Sequence, residues 1–261
     1  MKKLVKKVII LVFGIKRFHK LKRKFKTDEL DIIGDYLINK VDSGTMIDVG
    51  VHFGESSLMF LEKNWKVYGF EPDQKNREQI IDYVKNHKNF ILEDIAISDK
   101  SGQMMFYTSD ESSGISSLLS FHDSHKADKI VQVKTLNEVI SEKGVSNIDF
   151  LKIDTEGHDL MVLQGIDFEK HPKLKLVLCE YEDKKTEKVG YKTIDTIKYL
   201  QKNGFNVIVS EWQPIVKYGT SHKFKEAKKF PCEISNESWG NLIAYKVDNF
   251  DDFFLSRMNR R

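Results

Sequence analysis

Apolar runs and amphipathic segments alternate along most of this 261-residue chain. Short runs rich in Val, Ile, Leu and Phe are typical of strands buried on both faces of a sheet, and they occur at 45–50, 66–71, 89–98, 148–154, 174–181, 206–211 and 241–247. A further strand is predicted in the first part of 102–126, and 130–144 predicts a short strand followed by a helix. Segments with apolar residues three and four positions apart are typical of helices, and they occur at 28–41, 55–64, 73–87, 159–166 and 193–205. This alternation predicts parallel βαβ units with helices on both faces of one sheet.

Two parts of the chain depart from this alternation. The last two predicted strands follow each other without a long helix between them, which predicts an antiparallel hairpin at the edge of the sheet. The segment 109–126 is rich in Ser, Gly and Asp and predicts a long loop. This loop is either a lid over a ligand cleft, with Ser116 and Ser117 near the ligand, or an ordinary solvated loop. The predicted fold class is α/β, with a mostly parallel doubly wound sheet and an antiparallel edge hairpin.

Charge is distributed unevenly between the first 26 residues and the rest. The formal net charge is +3, yet residues 1–26 hold eleven Lys or Arg and no acid, so residues 27–261 carry 31 basic against 39 acidic residues, a net −8. An acidic body gives no reason to expect a nucleic acid partner. The only two cysteines, Cys179 and Cys232, imply no disulfide framework. They fit a reducing compartment, so we expect a cytoplasmic protein.

The basic segment 1–26 also has the periodicity of an amphipathic helix. Its longest uncharged run, 8–15, is shorter than the ~20 residues that a membrane-spanning helix needs. Two alternatives stay open for it: peripheral contact with an anionic membrane surface, or packing on the rest of the protein or on a partner. We expect residues 27–261 to form a single domain with this helix as an appendage.

The first predicted strand ends in a turn that contains two glycines, Asp48-Val49-Gly50-Val51-His52-Phe53-Gly54. In parallel α/β sheets, ligands bind outside the carboxyl ends of the strands. Gly50 is expected to let the backbone approach a ligand, and Gly54 to let the turn enter the next helix. The free N–H groups at the start of that helix favour a negative group. His52 stands where a G-x-G-x-x-G fingerprint has its middle glycine, which favours a carboxylate over a pyrophosphate.

Acidic residues also end the next two predicted strands. Glu71 lies 23 residues after Asp48, where a carboxylate can accept hydrogen bonds from both ribose hydroxyls. Asp94 is followed by Ile95 and Ala96, positions that suit the amino edge and the apolar faces of an adenine ring. A carboxylate together with a ribose indicates S-adenosylmethionine. The alternatives are plain turns with solvent-facing acids, or a nicotinamide cofactor, against which the missing glycine argues.

The stretch FLKIDTEGHDLMVLQG has the most charged strand end in the chain. Its predicted strand ends in Lys152, Asp154 and Glu156, and such residues are rarely buried unless they are paired. Asp154 is expected to face the amino group or the methyl group of the cofactor. Glu180 ends the adjacent predicted strand and is expected to face the same cleft.

This stretch closely resembles the signature of FkbM-type methyltransferases, a Lys-Ile-Asp-x-Glu-Gly core followed by an acid and Leu-x-Gly. IDVGVHFGESS resembles the family's first, cofactor-binding motif, FEPD resembles its second, and AISDKSG and VKTLNEV resemble two further segments. The resemblance runs from about Met46 to Glu180. It departs from the family at Val51-His52, where Ala-Asn is usual, and at Leu136-Asn137-Glu138, where Leu-Asp-Asp is frequent.

The resemblance implies a class I Rossmann-like fold and an enzyme that uses S-adenosylmethionine to methylate hydroxyl groups of sugars or natural products. It implies cofactor contacts at Asp48, Gly50, Gly54, Glu71, Asp94 and Asp154, to which the residues themselves add His52, Ile95 and Ala96. We therefore expect an O-methyltransferase that acts on a sugar or glycan precursor, either a small molecule or lipid-linked. The alternatives are a non-catalytic cofactor-binding scaffold in a glycan-assembly complex, or a methyltransferase of a natural product or nucleic acid.

Methylation of an alcohol needs a group that accepts its proton. His158 is the first candidate because histidine titrates near neutrality, and Glu156 and Glu180 follow, with Asp154 beside them. A second route is a Mg²⁺ ion held by Asp154, Glu156 and Glu180, which would lower the pKa of the hydroxyl.

Overall fold

A computed structural model describes residues 28–215 and 222–260 of the chain. The predicted leader helix, residues 1–26, lies outside the described residues. The strands are β1 Thr45–Val49, β2 Lys66–Phe70, β3 Phe90–Glu93, β4 Ala96–Ile97, β5 Gly102–Ser109, β6 His125–Lys134, β7 Phe150–Ile153, β8 Leu176–Glu182, β9 Asn206–Trp212, β10 Phe224–Lys229 and β11 Trp239–Tyr245. The α-helices are α1 Glu29–Ile38, α2 Leu58–Leu61, α3 Gln74–Glu78, α4 Asp82–Lys85, α5 Leu136–Glu142, α6 Asp159–Gln164, α7 Asp183–Thr186, α8 Thr193–Lys202 and α9 Phe250–Met258. Within these ranges, no helix has both the length and the apolar character needed to cross a bilayer.

Eight strands form the main sheet in the order β10-β9-β11-β8-β7-β1-β2-β3. The strands from β8 to β3 in this order pair in parallel. β11 runs antiparallel between β8 and β9, and β10 runs antiparallel to β9 at the edge. The predicted α/β class, with a mostly parallel sheet and an antiparallel edge, is confirmed. The edge also contains β10, which was not predicted because its sequence FKEAKK is mostly charged and forms no apolar run.

Helices cover both faces of this sheet, as the alternation of strands and helices predicts. Successive strand residues point to opposite faces. Ile47 and Leu151 belong to one core, which contains residues of α5, α6 and α8. Met46 and Phe150, which pair across β1 and β7, belong to the other core, which contains residues of α1, α2 and α9. The sheet is therefore doubly wound.

A second sheet has the order β4-β6-β5. Strands were predicted at the positions of β5 and of the second half of β6, but not their separation into a second sheet. The predicted strand 89–98 divides, so that β3 joins the main sheet and β4 joins the second. β6 begins at His125, inside the predicted loop, because its first half is largely exposed and polar. The predicted helix 73–87 is two short helices, since the Ile81 N–H donates to the Phe53 carbonyl and not to a preceding turn of helix. Helix α9 was also missed.

The carboxyl ends of β1, β2, β3, β7, β8 and β9 lie along one edge of the main sheet, because these strands run in the same direction. The antiparallel strand β11 begins at this same edge, with Trp239 opposite Glu182 and Trp212. The loops that follow β1, β2, β3 and β7 are those in which sequence analysis placed its candidate residues. The fold thus collects these residues at one edge.

Candidate functional site

The turn after β1 depends on three residues with positive φ, namely Gly50 (81°), His52 (52°) and Gly54 (78°). A Cβ atom on Gly50 would lie 1.9 Å from the backbone oxygen of Asp154. The backbone at the end of β7 packs against the turn, and this contact by itself requires a glycine at position 50. Gly50 also lines the two cavities described below, so the expected approach of its backbone to a ligand stays a prediction.

Glu71, directly after β2, is buried at 5% exposure and holds this turn. Its Oε2 atom accepts a hydrogen bond from the His52 N–H at 2.8 Å, and its Oε1 atom accepts one from the Asp73 N–H at 2.9 Å. Burial raises the pKa of Glu71, although these two hydrogen bonds oppose the rise. Through these hydrogen bonds Glu71 connects the turn after β1, which contains the left-handed His52, to the loop after β2.

A cavity of about 240 Å³ opens along this edge, next to Glu71. Among the predicted cofactor residues, those that line it are Gly50, His52, Glu71, Ile95, Ala96 and Asp154. Ile95 and Ala96 contribute an apolar wall. Asp48 and Gly54 do not line the cavity, and Asp94 is exposed outside it.

The segment that was predicted to be a lid or a solvated loop lies against this cavity. Ser116 and Ser117 both line it. The Ser117 hydroxyl lies 3.1 Å from the Thr155 carbonyl oxygen and 3.0 Å from that of Glu156, and the Ser116 hydroxyl donates to Asp73 at 3.1 Å. These hydrogen bonds connect the segment to the loops after β2 and β7.

Asp48 is fully buried and supports the turn from behind. Its Oδ2 atom accepts hydrogen bonds from the hydroxyls of Ser56 at 2.5 Å and Ser57 at 2.8 Å, and its Oδ1 atom lies 3.4 Å from the Lys152 ammonium. The same ammonium donates to the Gly50 carbonyl at 2.7 Å. Asp48 and Lys152 thus position the turn from outside the first cavity.

Lys152 is one of the buried charges at this edge, and it is paired. Burial alone lowers the pKa of Lys152, but the carboxylates of Asp154 and Asp48 outweigh burial and raise it. The Asp154 carboxylate lies 3.4 Å from the ammonium and is 45% exposed. Lys152 is therefore a permanent cation that holds Asp154 at the mouth of the cavity.

The three residues predicted to hold a metal converge after β7 and β8. One carboxylate oxygen each of Asp154, Glu156 and Glu180 lies within 4.8 Å of the others. Sequence analysis missed the cation beside them. Lys185, on α7, is 2% exposed, and its ammonium lies 2.5 Å from Glu156 Oε2, 3.3 Å from Glu180 Oε2 and 3.0 Å from Glu182 Oε2.

The carboxyl groups of Glu156 and Glu180 have raised pKa values. Burial raises the pKa of Glu156 to about 7, the Lys185 ammonium opposes the rise, and Asp154 adds to it. Burial together with the charge of Glu156 raises the pKa of Glu180 well above its usual range. Glu156, which lines the cavity, is therefore poised to exchange a proton near neutral pH.

His158, the first predicted base, lies in the cavity wall just before α6. It is buried at 4% exposure, and its Nε2 atom is 2.8 Å from the Ser98 hydroxyl. Burial lowers the pKa of His158 to about 4, although Asp99 opposes the shift. Its imidazole is therefore neutral and weakly basic at pH 7.

A second cavity, of about 380 Å³, adjoins the first. The two share Gly50, His52 and Asp154 in their walls. The second extends toward β8, β9 and β11, where Trp212 and Trp239 line it. Sequence analysis missed both tryptophans, because each lies just outside its predicted strand, 206–211 or 241–247.

Solved structures of methyltransferases are similar to this chain at low sequence identity. Magnesium protoporphyrin IX methyltransferase from Synechocystis PCC 6803, determined with bound S-adenosylmethionine, is 11% identical over 93% of this chain and 97% of that one, with a TM-score of 0.45. Precorrin-6y C5,15-methyltransferase from Geobacter metallireducens is 12% identical over 86% of this chain and 93% of that one, with a TM-score of 0.42.

Two curated relatives match parts of the chain. The AMB antimetabolite synthetase AmbE of Pseudomonas aeruginosa is 26% identical over 193 residues, which are 70% of this chain and 9% of that protein. The 31-O-demethyl-FK506 methyltransferase FkbM of Streptomyces tacrolimicus is 30% identical over 79 residues, which are 30% of this chain and 28% of that enzyme. The chain thus spans less than a third of the length of either relative.

The family match covers the whole of the edge described above. Residues 48–207, more than half of the chain, match the Methyltransferase FkbM domain. This range begins at Asp48, includes Glu71 and the acidic cluster, and ends in β9. The predicted resemblance is confirmed, and the chain belongs to the FkbM methyltransferase family.

Proposed function

We propose that this protein transfers a methyl group from S-adenosylmethionine to a hydroxyl oxygen of a sugar or glycan precursor. The observation that carries the proposal is a carboxyl group with a pKa of about 7, that of Glu156, in the wall of the cavity that holds the predicted cofactor residues. Family membership supports methyl transfer. The basic carboxylate supports an acceptor that must lose a proton, as an alcohol does.

The first cavity has the groups that the adenosine part of the cofactor needs. Glu71 has a lone pair left on each oxygen after its two backbone hydrogen bonds, so it can accept from the ribose hydroxyls. Ile95 and Ala96 offer the adenine ring an apolar wall. Asp154, exposed where the two cavities meet, can accept a hydrogen bond from the cofactor's amino group. This arrangement directs the sulfonium toward the boundary between the cavities.

The reaction is an in-line displacement on the methyl carbon. The acceptor oxygen forms a bond to this carbon, the carbon–sulfur bond breaks, and the sulfur keeps the electron pair as a neutral thioether. The hydroxyl proton passes to the Glu156 carboxylate and from there to solvent. A positioned base contributes on the order of 10²–10⁴-fold. We assign this role to Glu156 before His158, whose lowered pKa makes it a weaker base at pH 7.

The donor set of Asp154, Glu156 and Glu180 suits a hard cation such as Mg²⁺, which prefers carboxylate oxygens. A bound Mg²⁺ would lower the pKa of the acceptor hydroxyl. In the structure, however, the Lys185 ammonium lies within 3.3 Å of two of these three carboxylates. We therefore expect Lys185 to supply the positive charge and turnover to proceed without added metal.

The cofactor part of the proposal is tested by calorimetric titration with S-adenosylmethionine. Glu71→Ala removes the proposed ribose contact, and Glu78→Ala, which replaces an exposed residue on α3, is the matched control. We expect tight binding by the wild type and the control and loss of binding by Glu71→Ala. A folded wild type that does not bind would refute the methyltransferase proposal and favour a scaffold.

The chemical part is tested with Glu156→Gln. We expect the rate of methyl transfer to fall on the order of 10²-fold or more, while cofactor affinity changes little. The methyl group on the product is expected to resist mild base, as an ether does and an ester does not. A base-labile product, or an unchanged rate in Glu156→Gln, would contradict the proposed O-methylation of a hydroxyl. That the acceptor is lipid-linked stays a prediction. It is tested by comparing the rates of methyl transfer to membrane-tethered and to free glycosides.

A further inference from the structure

The second cavity lies at the same sheet edge as the first, on the far side of the turn after β1. It is bounded by Ile153 at the end of β7 and Asp154 after it, by Leu178 of β8, and by the paired ends of β9 and β11. Its volume of about 380 Å³ falls within the ~300–1,000 Å³ typical of ligand pockets. Because it meets the first cavity at Asp154, a ligand here would adjoin the methyl group of a cofactor there.

Two indole rings line one side of this cavity: Trp239 is half-buried and offers part of its ring, whereas Trp212 is buried at 6% exposure and packs beside it. Trp212 and Trp239 are direct cross-strand partners, with ring centroids 5.8 Å apart and planes inclined by 33°. The Trp212 Nε1–H donates to Glu29 Oε1 at 2.7 Å, and the Trp239 Nε1–H donates to the Gln213 carbonyl at 2.9 Å. Since both N–H groups already have acceptors in the protein, the indoles offer a ligand mainly carbon surface.

The polar residues of the same cavity are rich in hydrogen-bond acceptors. Glu29, at the start of α1, is buried at 3% exposure and holds Trp212 and the Ser210 hydroxyl through Oε1. Asp28, Asp154 and Asn241 also line the cavity, and Lys152, the lysine in its lining, is already paired with Asp48 and Asp154. These carboxylates disfavour a phosphate or a carboxylate on the ligand. They favour a neutral molecule with several hydroxyl donors.

A pyranose ring has both properties that this wall selects. Its axial C–H groups form an apolar face that packs on an aromatic ring, and its hydroxyls project around the rim, where carboxylates and amides can accept from them. We infer that the second cavity is the acceptor site and that it takes a neutral pyranose, stacked on the exposed part of Trp239. One hydroxyl would lie at Asp154, whose carboxylate is within 4.8 Å of that of Glu156, the assigned base. This inference rests on the proposed function and names its acceptor site.

Intrinsic fluorescence gives a direct test, because the chain contains only three tryptophans and the third, Trp65, is fully buried in the core between α2 and the sheet. The full chain, saturated with S-adenosylhomocysteine, is titrated with the methyl glycosides of glucose, galactose, mannose, rhamnose and N-acetylglucosamine, and with sorbitol as the acyclic control. We expect saturable quenching by at least one glycoside and none by sorbitol. Trp65→Phe is expected to leave this response unchanged.

A pair of variants at Trp239 separates stacking from folding. Trp239→Phe keeps an aromatic face and is expected to bind the same glycoside within about three-fold of wild type. Trp239→Leu keeps an apolar strand residue and is expected to bind at least ten-fold more weakly, which is about 1.4 kcal/mol. Saturation-transfer NMR on the wild type should show the strongest enhancement at the ring C–H protons, a readout that needs no variant.

Three results would overturn the assignment. They are the absence of glycoside binding by a wild type that binds S-adenosylhomocysteine, equal glycoside binding by Trp239→Leu, and loss of S-adenosylhomocysteine binding in a folded Trp239→Leu. The last result would place the methionine end of the cofactor in this cavity. Failure of the proposed function gives a different pattern, since the wild type would then bind no S-adenosylmethionine whatever the glycosides do.

Discussion

Lys185→Met removes the cation at the centre of the acidic cluster while keeping most of the side chain's apolar stem. The Lys185 ammonium is 2% exposed and lies within 3.3 Å of the carboxylates of Glu156, Glu180 and Glu182. Removing one partner of a buried ion pair costs roughly 3–5 kcal/mol, because the remaining charge is left without compensation. We expect Lys185→Met to lower the free energy of unfolding by about this amount at pH 8.

The penalty should depend on pH in a defined direction. Burial raises the pKa of Glu156 from 4.5 to about 7 in the folded protein, so the folded state binds this proton more tightly than the unfolded chain does. The contribution of Glu156 to stability is therefore fully present below about pH 4.5 and is lost as the pH rises through about 7. Without Lys185, which lowers the pKa of Glu156, the pKa rises further and the loss extends to higher pH. The penalty of Lys185→Met should thus be larger at pH 8 than at pH 5, by about 1.4 kcal/mol from Glu156 alone, which is one proton over the pH unit above 7.

Urea unfolding followed by far-ultraviolet circular dichroism at pH 5, 6, 7 and 8 measures this penalty. Lys184→Met is the matched control, because the neighbouring Lys184 side chain is 57% exposed and its contact with Glu237 is at the surface. We expect the control to change stability by less than about 0.5 kcal/mol at every pH. If the penalty of Lys185→Met were the same at pH 5 and pH 8, or no larger than that of Lys184→Met, the proposed electrostatic role of Lys185 would be refuted.

Three further predictions concern the turn, the buried histidine and the metal. Gly50→Ala is expected to abolish cofactor binding, because its Cβ would lie 1.9 Å from the Asp154 backbone oxygen. The control Gly190→Ala has a similar φ and nothing within 4 Å of its Cβ, so it should cost only the roughly 1–2 kcal/mol of left-handed strain. Calorimetric titration with the cofactor and thermal denaturation distinguish the two variants. The ring protons of His158 should not titrate in NMR spectra until the pH approaches 4, since burial lowers its pKa to about 4; a midpoint above 6 would contradict this. Excess EDTA should leave methyl transfer unchanged, whereas loss of activity restored by Mg²⁺ would show a metal in place of the Lys185 charge.

The parts of the site that follow from local sequence were the most predictable. Gly50 and Gly54 stand where the chain needs positive φ directly after a buried strand, so the pattern shows where the turn is. Glu71 ends an apolar run, and its place at the sheet edge follows from the strand. The position of Asp94, in contrast, could not be predicted from its place after an apolar run. It lies between β3 in the main sheet and β4 in the second, and the direction of a residue between two sheets depends on the second sheet, which the sequence pattern did not reveal.

Contacts between distant strands could not be read from the chain in the same way. Trp212 and Trp239 are separated by a segment whose mixed charges hid β10, and only the insertion of β11 between β8 and β9 makes them neighbours. The order of the strands at the antiparallel edge could not be predicted from the chain either. The predicted antiparallel pair of 206–211 with 241–247 is present as β9 and β11, but β10 lies at the edge outside it and β11 lies next to β8.

Lys185 shows most clearly how one missed residue changes a chemical interpretation. Sequence analysis placed Glu180 at a strand end that faces the cleft, but Lys185 stands in the charged run EDKK after it, which gives no sign that its side chain is buried. Because β8 ends at Glu182 and α7 begins at Asp183, Lys185 turns back toward Glu182 and Glu180 and toward Glu156 after β7. Three converging carboxylates without a cation predict a metal site. With a lysine ammonium among them, part of their charge is neutralised from within the protein, so the cluster does not require a metal. Burial, which the Lys185 ammonium only partly offsets, is what keeps Glu156 basic near pH 7.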